Sequence, residues 1–326
     1  MSRYVLAPGE ALDAAFRRVM RKQLRSAGRA LATEATPALA IHRARRCLKR
    51  SRSLLMLLEP AYRRGRWSDE AKTLRSAANW LAGARDEQAK LDALAKLVTR
   101  AGKSLPATAL GRVRRSLERR REAHEQAIGP ELDAELNRAL DRIGQGLRRR
   151  HLSRFDDQAL ADGITLTYRR GRKAMRAAFA SGHDEDFHAW RGDVQAHWRH
   201  MQLVEGCWPA EIQVRAETAK VLSGLLGDDH DLWLLATEIA DPELPIGAAD
   251  RRYLAKLCQR MQQDLRHEAR HVGERLFAER PKQFGKRLLR YWRDASASGE
   301  NPDRVDADEA VEVTSAVESN VLATTA

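Results

Sequence analysis

Residues 41–49 read IHRARRCLK, and a similar stretch, FHAWRGDVQ, returns at residues 187–195. An offset of 146 residues superposes the two stretches. Each has a histidine followed three residues later by an arginine, with apolar residues at helical spacing. The pattern predicts that a similar helix occurs twice in the chain. The superposed pairs are His42 with His188 and Arg45 with Arg191.

A second pair of matching stretches lies downstream of the first. Residues 81–86 read LAGARD, residues 226–231 read LGDDHD, and the two match at an offset of 145 residues. The same offset places Arg75 on Lys220. Two matches at nearly one offset predict an internal duplication, with two helical bundles related by a pseudo-two-fold axis.

The sequence around these stretches is typical of an all-α protein. Ala, Leu, Arg and Glu dominate, runs of β-branched residues are nearly absent, and apolar residues recur every three or four positions. Helix-breaking residues divide the chain into about ten predicted helices. The predicted helices include Ala11–Leu31, Ala38–Glu59, Ser68–Arg100, Asp157–Ala180, Asp184–Leu203 and Ala248–Glu279. The breakers include Thr36-Pro37, Gly129-Pro130, Gly144 to Gly146 and Ser181-Gly182.

The first of the repeated helices has one basic side and one apolar side. At about 100° per residue, Arg46, Lys49 and Ser53 all lie within about 40° of His42. Arg45 and Arg52 flank this row, and no carboxylate lies between them to form helical ion pairs. The apolar side has Ala44, Cys47, Leu48, Leu55 and Leu58, and the second copy has His188, Arg191, Gln195 and Arg199 in the corresponding row.

Two such rows that faced each other would form a cationic groove or pore. A bound polyanion would relieve the repulsion between the like charges in it. The residues alone leave open the alternative of a solvated basic face.

The charge of the chain is unevenly distributed. The 326 residues include 58 Lys and Arg against 45 Asp and Glu, a net charge of +13. From Asp294 onward there are eight carboxylates and one arginine, so residues 1–293 alone carry +20. Residues 297–326 are predicted to be an acidic, disordered tail. Whether this tail covers the basic pore is left open by the sequence.

Several protein classes are excluded by composition. No apolar run is long enough for a membrane span and no signal peptide is recognisable, which predicts a cytoplasmic protein without membrane association. The three cysteines Cys47, Cys207 and Cys258 are far apart, so neither a disulfide framework nor a cysteine zinc site is expected.

Two other functions remain as alternatives. The charge surplus also suits RNA or DNA, although aromatic residues for base stacking make up only 6% of the chain. A metal-dependent phosphohydrolase would use His183, His188, His230 and Asp231. The HEARH stretch at residues 267–271 fits a zinc motif, but flanking arginines oppose a cation, and we interpret it as a solvent-exposed helix face.

The ordered set of motifs resembles the conserved histidine α-helical domain (CHAD) family. The resemblance lies in the His42 helix, its echo at His188, the elements that end at Asp86 and Asp231, and the YRRGRK stretch at residues 168–173. It covers about residues 8 to 293. It implies two pseudo-symmetric helical bundles around a central basic pore that binds inorganic polyphosphate, without enzymatic activity, cofactor or metal. The predicted domain is 1–296, with repeats at about 8–150 and 151–293.

The resemblance also implies which residues bind the polymer. Asp86 and Asp231 are expected to orient neighbouring cations or to cap helices. The second repeat has Gly192, Asp193, Gln195 and Gln202 where the family has more cations, which predicts a weaker second half. No strand-rich CYTH domain is recognisable, and a binding protein recruited to polyphosphate granules is expected; its oligomeric state is not predicted. The implied ligands are His42, Arg45, Arg46, Lys49, Arg52, Arg75, Arg172, Lys173, His188, Arg191, Arg199 and Lys220.

Overall fold

The computed structural model describes residues 4–62, 65–102, 106–127 and 129–298. These ranges contain eleven α-helices, one short 3-10 helix at Glu205–Cys207 and no strand, which confirms the all-α prediction. The acidic tail from residue 299 onward lies outside the described residues. The helices are α1 (Leu12–Thr33), α2 (Pro37–Leu57), α3 (Ser68–Trp80), α4 (Ala82–Ala101), α5 (Ala107–Gln126), α6 (Pro130–Arg149), α7 (Asp157–Ser181), α8 (Asp184–Leu203), α9 (Pro209–Ala240), α10 (Ala248–Leu276) and α11 (Pro281–Ser298).

Local capping signals explain several of the helix ends. The Thr36 hydroxyl accepts a hydrogen bond from the Leu39 amide at 3.3 Å, and Pro37 occupies the first turn of α2. The Asp156 carboxylate caps α7 in the same way. Gly182 ends α7 with a φ of 72°, a conformation that side chains with a Cβ rarely adopt.

Two local predictions of the sequence were wrong. The predicted helix Ser68–Arg100 is two helices, because Leu81 leaves the helical conformation between α3 and α4. The glycines at 144–146 do not break α6. A Cβ at Gly146 would lie 3.0 Å from the Glu70 carboxylate, so the absence of a side chain at this position allows α3 to pack closely against α6.

Most helices share one hydrophobic core. α1, α2, α3 and α6 pack around one part of it, and α7, α8, α9 and α11 pack around the other. Its largest fully buried side chains include Phe16, Leu48, Tyr168 and Trp190. Burial of each such side chain contributes about 1.5–3 kcal/mol, so this core holds the two sets of helices together.

A second, smaller core lies among α4, α5, the carboxyl-terminal half of α9 and the amino-terminal half of α10. Leu97, Val113, Leu235 and Leu254 are fully buried in it. Through this core, α4 of the first half packs directly against α9 of the second. The two halves therefore meet at two places, α2 against α7 and α8, and α4 against α9.

The approach of α2 to α7 is close because of a glycine. A Cβ at Gly163 would lie 2.5 Å from the carbonyl oxygen of Leu57 and 2.8 Å from its Cα, distances that no side chain tolerates. Nearby, Arg170 of α7 donates two hydrogen bonds to the Glu59 carboxylate, at 2.6 and 3.3 Å. These contacts set the position of α2 relative to the second half of the chain.

No helix in the described part of the chain combines the length and the apolar character needed to cross a membrane. The pseudo-two-fold relation and the central pore stay predictions.

Candidate functional site

Basic side chains from four helices come together where the two halves meet. Each of them either has its pKa lowered by the charge of another member or lowers the pKa of another member by its own charge. We call this group the central basic cluster. It consists of His42, Arg45, Lys49 and Arg52 from α2, Arg85 from α4, His188, Arg191 and Arg199 from α8, and His230 from α9.

Lys49 lies in the middle of this cluster. Its side chain has no hydrogen bond or ion pair with any described residue. Burial lowers its pKa to about 7, and the nearby positive charges of Arg45, Arg199, Arg191 and Arg85 act in the same direction. A lysine in this setting gains its full charge only when an anion comes close to it.

Arg191 is the second buried cation of the cluster without a bonded partner. Its Nε is buried and has no hydrogen-bond partner among the described residues. A Cβ at Gly227 of α9 would lie only 3.2 Å from Nη2, so the glycine leaves room for the guanidinium. Burial lowers the pKa of Arg191, and the more distant Asp231 carboxylate opposes that effect.

Arg45 is held in place by two contacts. Its Nη1 donates a hydrogen bond to the carbonyl oxygen of Ala78 at 2.8 Å, and its Nη2 lies 4.0 Å from Oδ1 of Asp86. The Ala78 carbonyl precedes the break at Leu81 and is one of those that α3 leaves without a helical partner. The break between α3 and α4 thus supplies an acceptor that orients Arg45, and Asp86 acts on the cation as expected.

Two histidines stack at one side of the cluster. The rings of His188 and His230 have their centroids 4.0 Å apart and planes tilted by 33°. Burial lowers the pKa of both groups, and that of His230 falls to about 3. Both rings are therefore neutral near pH 7, where a neutral imidazole donates one hydrogen bond and accepts another.

Arg199 lies at the other side of the cluster, close to Arg52. Its guanidinium donates hydrogen bonds to the carbonyl oxygen and the side-chain oxygen of Gln195, at 3.1 and 3.2 Å. Burial lowers its pKa to about 10. Arg75 of α3 lowers the pKa of Arg52 by its charge and so extends the basic surface to α3.

Three of the residues predicted as ligands lie elsewhere, and a fourth, Arg46, lies at the edge of the cluster. Arg46 is exposed at the edge, where its charge acts on His42 and Arg50. Arg172 donates a hydrogen bond to the Glu279 carbonyl oxygen at 3.0 Å, beyond the cluster. Lys173 is exposed on α7, and Lys220 forms a salt bridge of 3.3 Å with Glu217 of its own helix.

Two cluster members, Arg85 and His230, are absent from the predicted ligand set. They stand directly before Asp86 and Asp231 and superpose at the offset of 145 residues. The offset of 145 residues therefore marks both cations as a repeated pair, and this is the signal in the sequence that could have identified them.

The residues do not support a metal centre at the positions considered from sequence. In residues 4–62, 65–102, 106–127 and 129–298, no group of three or more His, Cys, Asp and Glu has a metal-binding arrangement. His267 and His271 have their Nε2 atoms 3.2 Å apart on an exposed helix face, as expected for a solvent-facing motif.

A family model described as the CHAD domain matches residues 14–240. The chain belongs to the CHAD domain family. All four helices of the central basic cluster lie within the matched residues, whereas α10 and α11 lie beyond them.

Among solved structures, this CHAD domain is similar to the crystal structure of the CHAD domain from the plant Ricinus communis. The TM-score is 0.57 at 18% sequence identity, and the match covers 85% of this chain and 95% of the plant chain. At that identity the likeness shows the fold alone. No curated protein matches the chain.

Proposed function

We propose that this CHAD domain binds inorganic polyphosphate through the central basic cluster. One observation carries the proposal: Lys49 and Arg191 lie near each other, Arg52 lies near Arg199, and these three partly buried cations have no hydrogen bond or ion pair with any described residue. Cations packed in this way repel one another and lose hydration, and a polyanion offsets both costs.

The types of side chain suit a chain of phosphoryl groups. Arginines bind phosphoryl oxygens through two parallel hydrogen bonds, and Lys49 adds a compact charge that becomes full on binding. The neutral rings of His188 and His230 add hydrogen bonds without a fixed charge. The cluster supplies cations from both halves of the chain, so a linear polymer would contact α2 and α8 together.

The position of exposed aromatic residues favours polyphosphate over single-stranded nucleic acid. Of the described aromatic side chains, the large exposed ones are Trp208 and Tyr253, at the starts of α9 and α10. Trp208 packs edge-on against Tyr291, outside the cluster. At the cluster itself the rings are those of His188, His230 and the half-buried Trp233, so among the described residues it has no large exposed aromatic side chain of the kind that stacks on bases.

Binding without chemistry would make this domain a recruitment module. The CHAD domain would then carry the protein to polyphosphate granules, with no catalytic residue involved. The central basic cluster offers anchoring cations. Asp86 lies close to Arg45, and Asp231 acts on Arg191 only through its charge.

The test is a comparison of charge-reversal variants. Fluorescence anisotropy with labelled long-chain polyphosphate measures Kd for the wild type and for the double variant Lys49→Glu, Arg52→Glu. Each lost charged contact is worth about 1.5–3 kcal/mol, so we expect affinity to fall by at least a hundredfold. The matched control is Arg114→Glu, Arg115→Glu, which makes the same charge change on the exposed face of α5.

The control should change Kd by less than about threefold at 0.15 M salt. Exposed charges outside the binding site are largely screened there, because the Debye length is about 8 Å. Equal losses in the two variants would show that only the overall charge matters. Competition by RNA and DNA at the same ionic strength completes the test, and stronger displacement by either one would refute the polyphosphate proposal.

A further inference from the structure

A second basic surface lies on the outside of the molecule, between α1 and α6. A groove of about 660 Å³ runs along these two helices. One rim is a row of four arginines spaced four residues apart on α1, and Arg148 stands on α6. The floor is apolar. The row comprises Arg17, Arg21, Arg25 and Arg29, and the floor comprises Phe16, Met20, Leu24, Leu140 and Leu147.

Three of these arginines lack a partner. Arg21, Arg25 and Arg29 are exposed, and their guanidinium groups have no hydrogen bond or ion pair with the described residues. Asp141 is the one carboxylate among the residues that line the groove. Arg17 differs, since it donates hydrogen bonds to the carbonyl oxygens of Leu147 and Arg150 at the end of α6. The groove therefore has excess positive charge along most of its length.

The described chain ends near the amino-terminal end of α1, the helix that carries the arginine row. The Gly9 amide donates a hydrogen bond to the Ser296 hydroxyl at 3.2 Å, and Gly9 lies just ahead of the first residue of α1, Leu12. From Leu12 to Arg29 the helix rises about 26 Å. At about 3.3 Å per residue, residues 299–326 are long enough to follow the whole row.

The composition of that segment complements the groove. Residues 299–326 contain seven carboxylates and one basic residue, Arg304. The stretch 305–313, VDADEAVEV, alternates carboxylates with valine and alanine. Carboxylates suit the arginine row, and small apolar side chains suit the apolar floor.

We propose that residues 303–318 bind in the groove between α1 and α6 of the same molecule, with their carboxylates paired to Arg21, Arg25 and Arg29. The groove shares no residue with the central basic cluster, so the tail neutralises the outer arginines and leaves the inner cations free for a polyanion. The acidic tail would then restrict polyanion binding to the central basic cluster, because it occupies the other basic surface.

The test follows the tail in the full-length chain. The three native thiols are buried and burial raises their pKa, so Ser315→Cys adds one reactive thiol in the tail for an environment-sensitive fluorophore. We expect blue-shifted emission that moves to the red in 1 M salt. The triple variant Arg21→Glu, Arg25→Glu, Arg29→Glu should lose the blue shift in low salt. The matched control Arg114→Glu, Arg115→Glu, Arg119→Glu alters three exposed arginines of α5 and should keep it.

A charge swap gives the decisive result. Adding Asp306→Lys, Asp308→Lys and Glu312→Lys to the α1 triple variant should restore the blue shift. If the α1 variant fails to fold, the tail variant Asp306→Asn, Asp308→Asn, Glu312→Gln tests the same contact without a change in any helix and should lose the shift.

Three outcomes would overturn the proposal. One is an emission that is unchanged in the α1 and tail variants. Another is an equal loss in the α5 control, or a loss with Lys49→Glu, Arg52→Glu in place of the α1 triple variant. The third is a blue shift that grows with protein concentration, which would assign the tail to the groove of a second molecule.

Discussion

Lys49 and Arg46 show how the fold selects among basic residues on one helix. A helical wheel places both in the same row as His42. In the structure Arg46 is exposed at the edge, whereas Arg45, Lys49 and Arg52 turn toward the arginines of α8. The row that faces the second half is therefore displaced by about one residue from the one that the wheel predicts. Burial next to other cations gives Lys49 a property that sequence does not show, a pKa of about 7.

This pKa predicts that polyphosphate affinity depends on pH through Lys49. The bound polymer favours the protonated ammonium, so affinity is greatest below pH 7 and declines as pH rises through 7 in the free protein. Between pH 6.5 and 8.5 the protonated fraction falls about 25-fold, and Kd should rise by up to that factor. Lys49→Arg, which stays charged, should flatten the dependence.

Anisotropy titrations at pH 6.5, 7.5 and 8.5 and constant ionic strength measure this effect. Lys49→Met should bind about tenfold more weakly than the wild type at pH 6.5 and show the same flat profile. A slope in Lys49→Arg as steep as in the wild type would show that another group titrates.

At the scale of helices, α3, α4 and α9 show the limit of periodicity. The first half has a break at Leu81, whereas α9 continues through the superposed Leu226. Both leucines are buried, at 2% and 1% exposure, so their local patterns look alike. The break accompanies a tertiary contact, since Arg45 bonds to Ala78, and α5 approaches so closely that a Cβ at Gly83 would lie 2.5 Å from His124.

The contact between α2 and α7 gives a prediction at the same scale. Gly163→Ala should lower the free energy of unfolding by about 1–3 kcal/mol, because the new methyl group overlaps the backbone of Leu57. The control is Gly192→Ala on α8, where nothing lies within 4 Å and alanine favours the helix by up to about 1 kcal/mol.

Urea denaturation of both variants measures the difference. Polyphosphate affinity should also fall in Gly163→Ala, since a displaced α2 separates its cations from those of α8. Equal free energies of unfolding in Gly163→Ala and Gly192→Ala would contradict the close approach of α2 to α7.

At the scale of the whole molecule, the central basic cluster lies where two sets of helices meet over one shared core. That core contains two histidines whose protonation opposes folding. His197 is fully buried among the rings of Tyr168, Phe277 and Phe284, and neither of its ring nitrogens has a hydrogen-bond partner among the described residues. His200 donates a hydrogen bond from Nε2 to the Ser53 carbonyl oxygen of α2 at 2.7 Å. Burial lowers the pKa of His197 to about 3 and that of His200 to about 4.

The sign of these shifts predicts acid instability. Both groups have an ordinary pKa of 6.5, so the unfolded chain takes up protons that the folded protein excludes. Stability is complete above pH 6.5 and falls as pH drops toward 4. In His197→Phe the part of this loss in stability that is due to His197 should disappear, and it amounts to about 2 kcal/mol at pH 5 relative to pH 8.

Thermal or urea unfolding at pH 5 and pH 8 measures the change, and His151→Gln, at an exposed histidine, serves as control. A pH dependence in His197→Phe identical to that of the wild type would refute the assignment.

Local sequence patterns determine much of the secondary structure of this protein. The all-α class, the caps at Thr36 and Gly182, and the repeated helices headed by His42 and His188 follow from periodicity, backbone preferences and a common offset. So does the list of cations from which the site is drawn, since a repeated motif marks them.

Tertiary structure alone decided which of those cations meet. Arg45, Lys49, Arg191 and Arg199 lie together because α2 packs on α7 and α8, whereas Arg172 and Lys220 lie elsewhere. The break at Leu81, the pKa of Lys49 and the close approach at Gly163 have the same origin. Periodicity reports which side of a helix is buried, whereas the identity of the helix that covers it depends on contacts far apart in the chain.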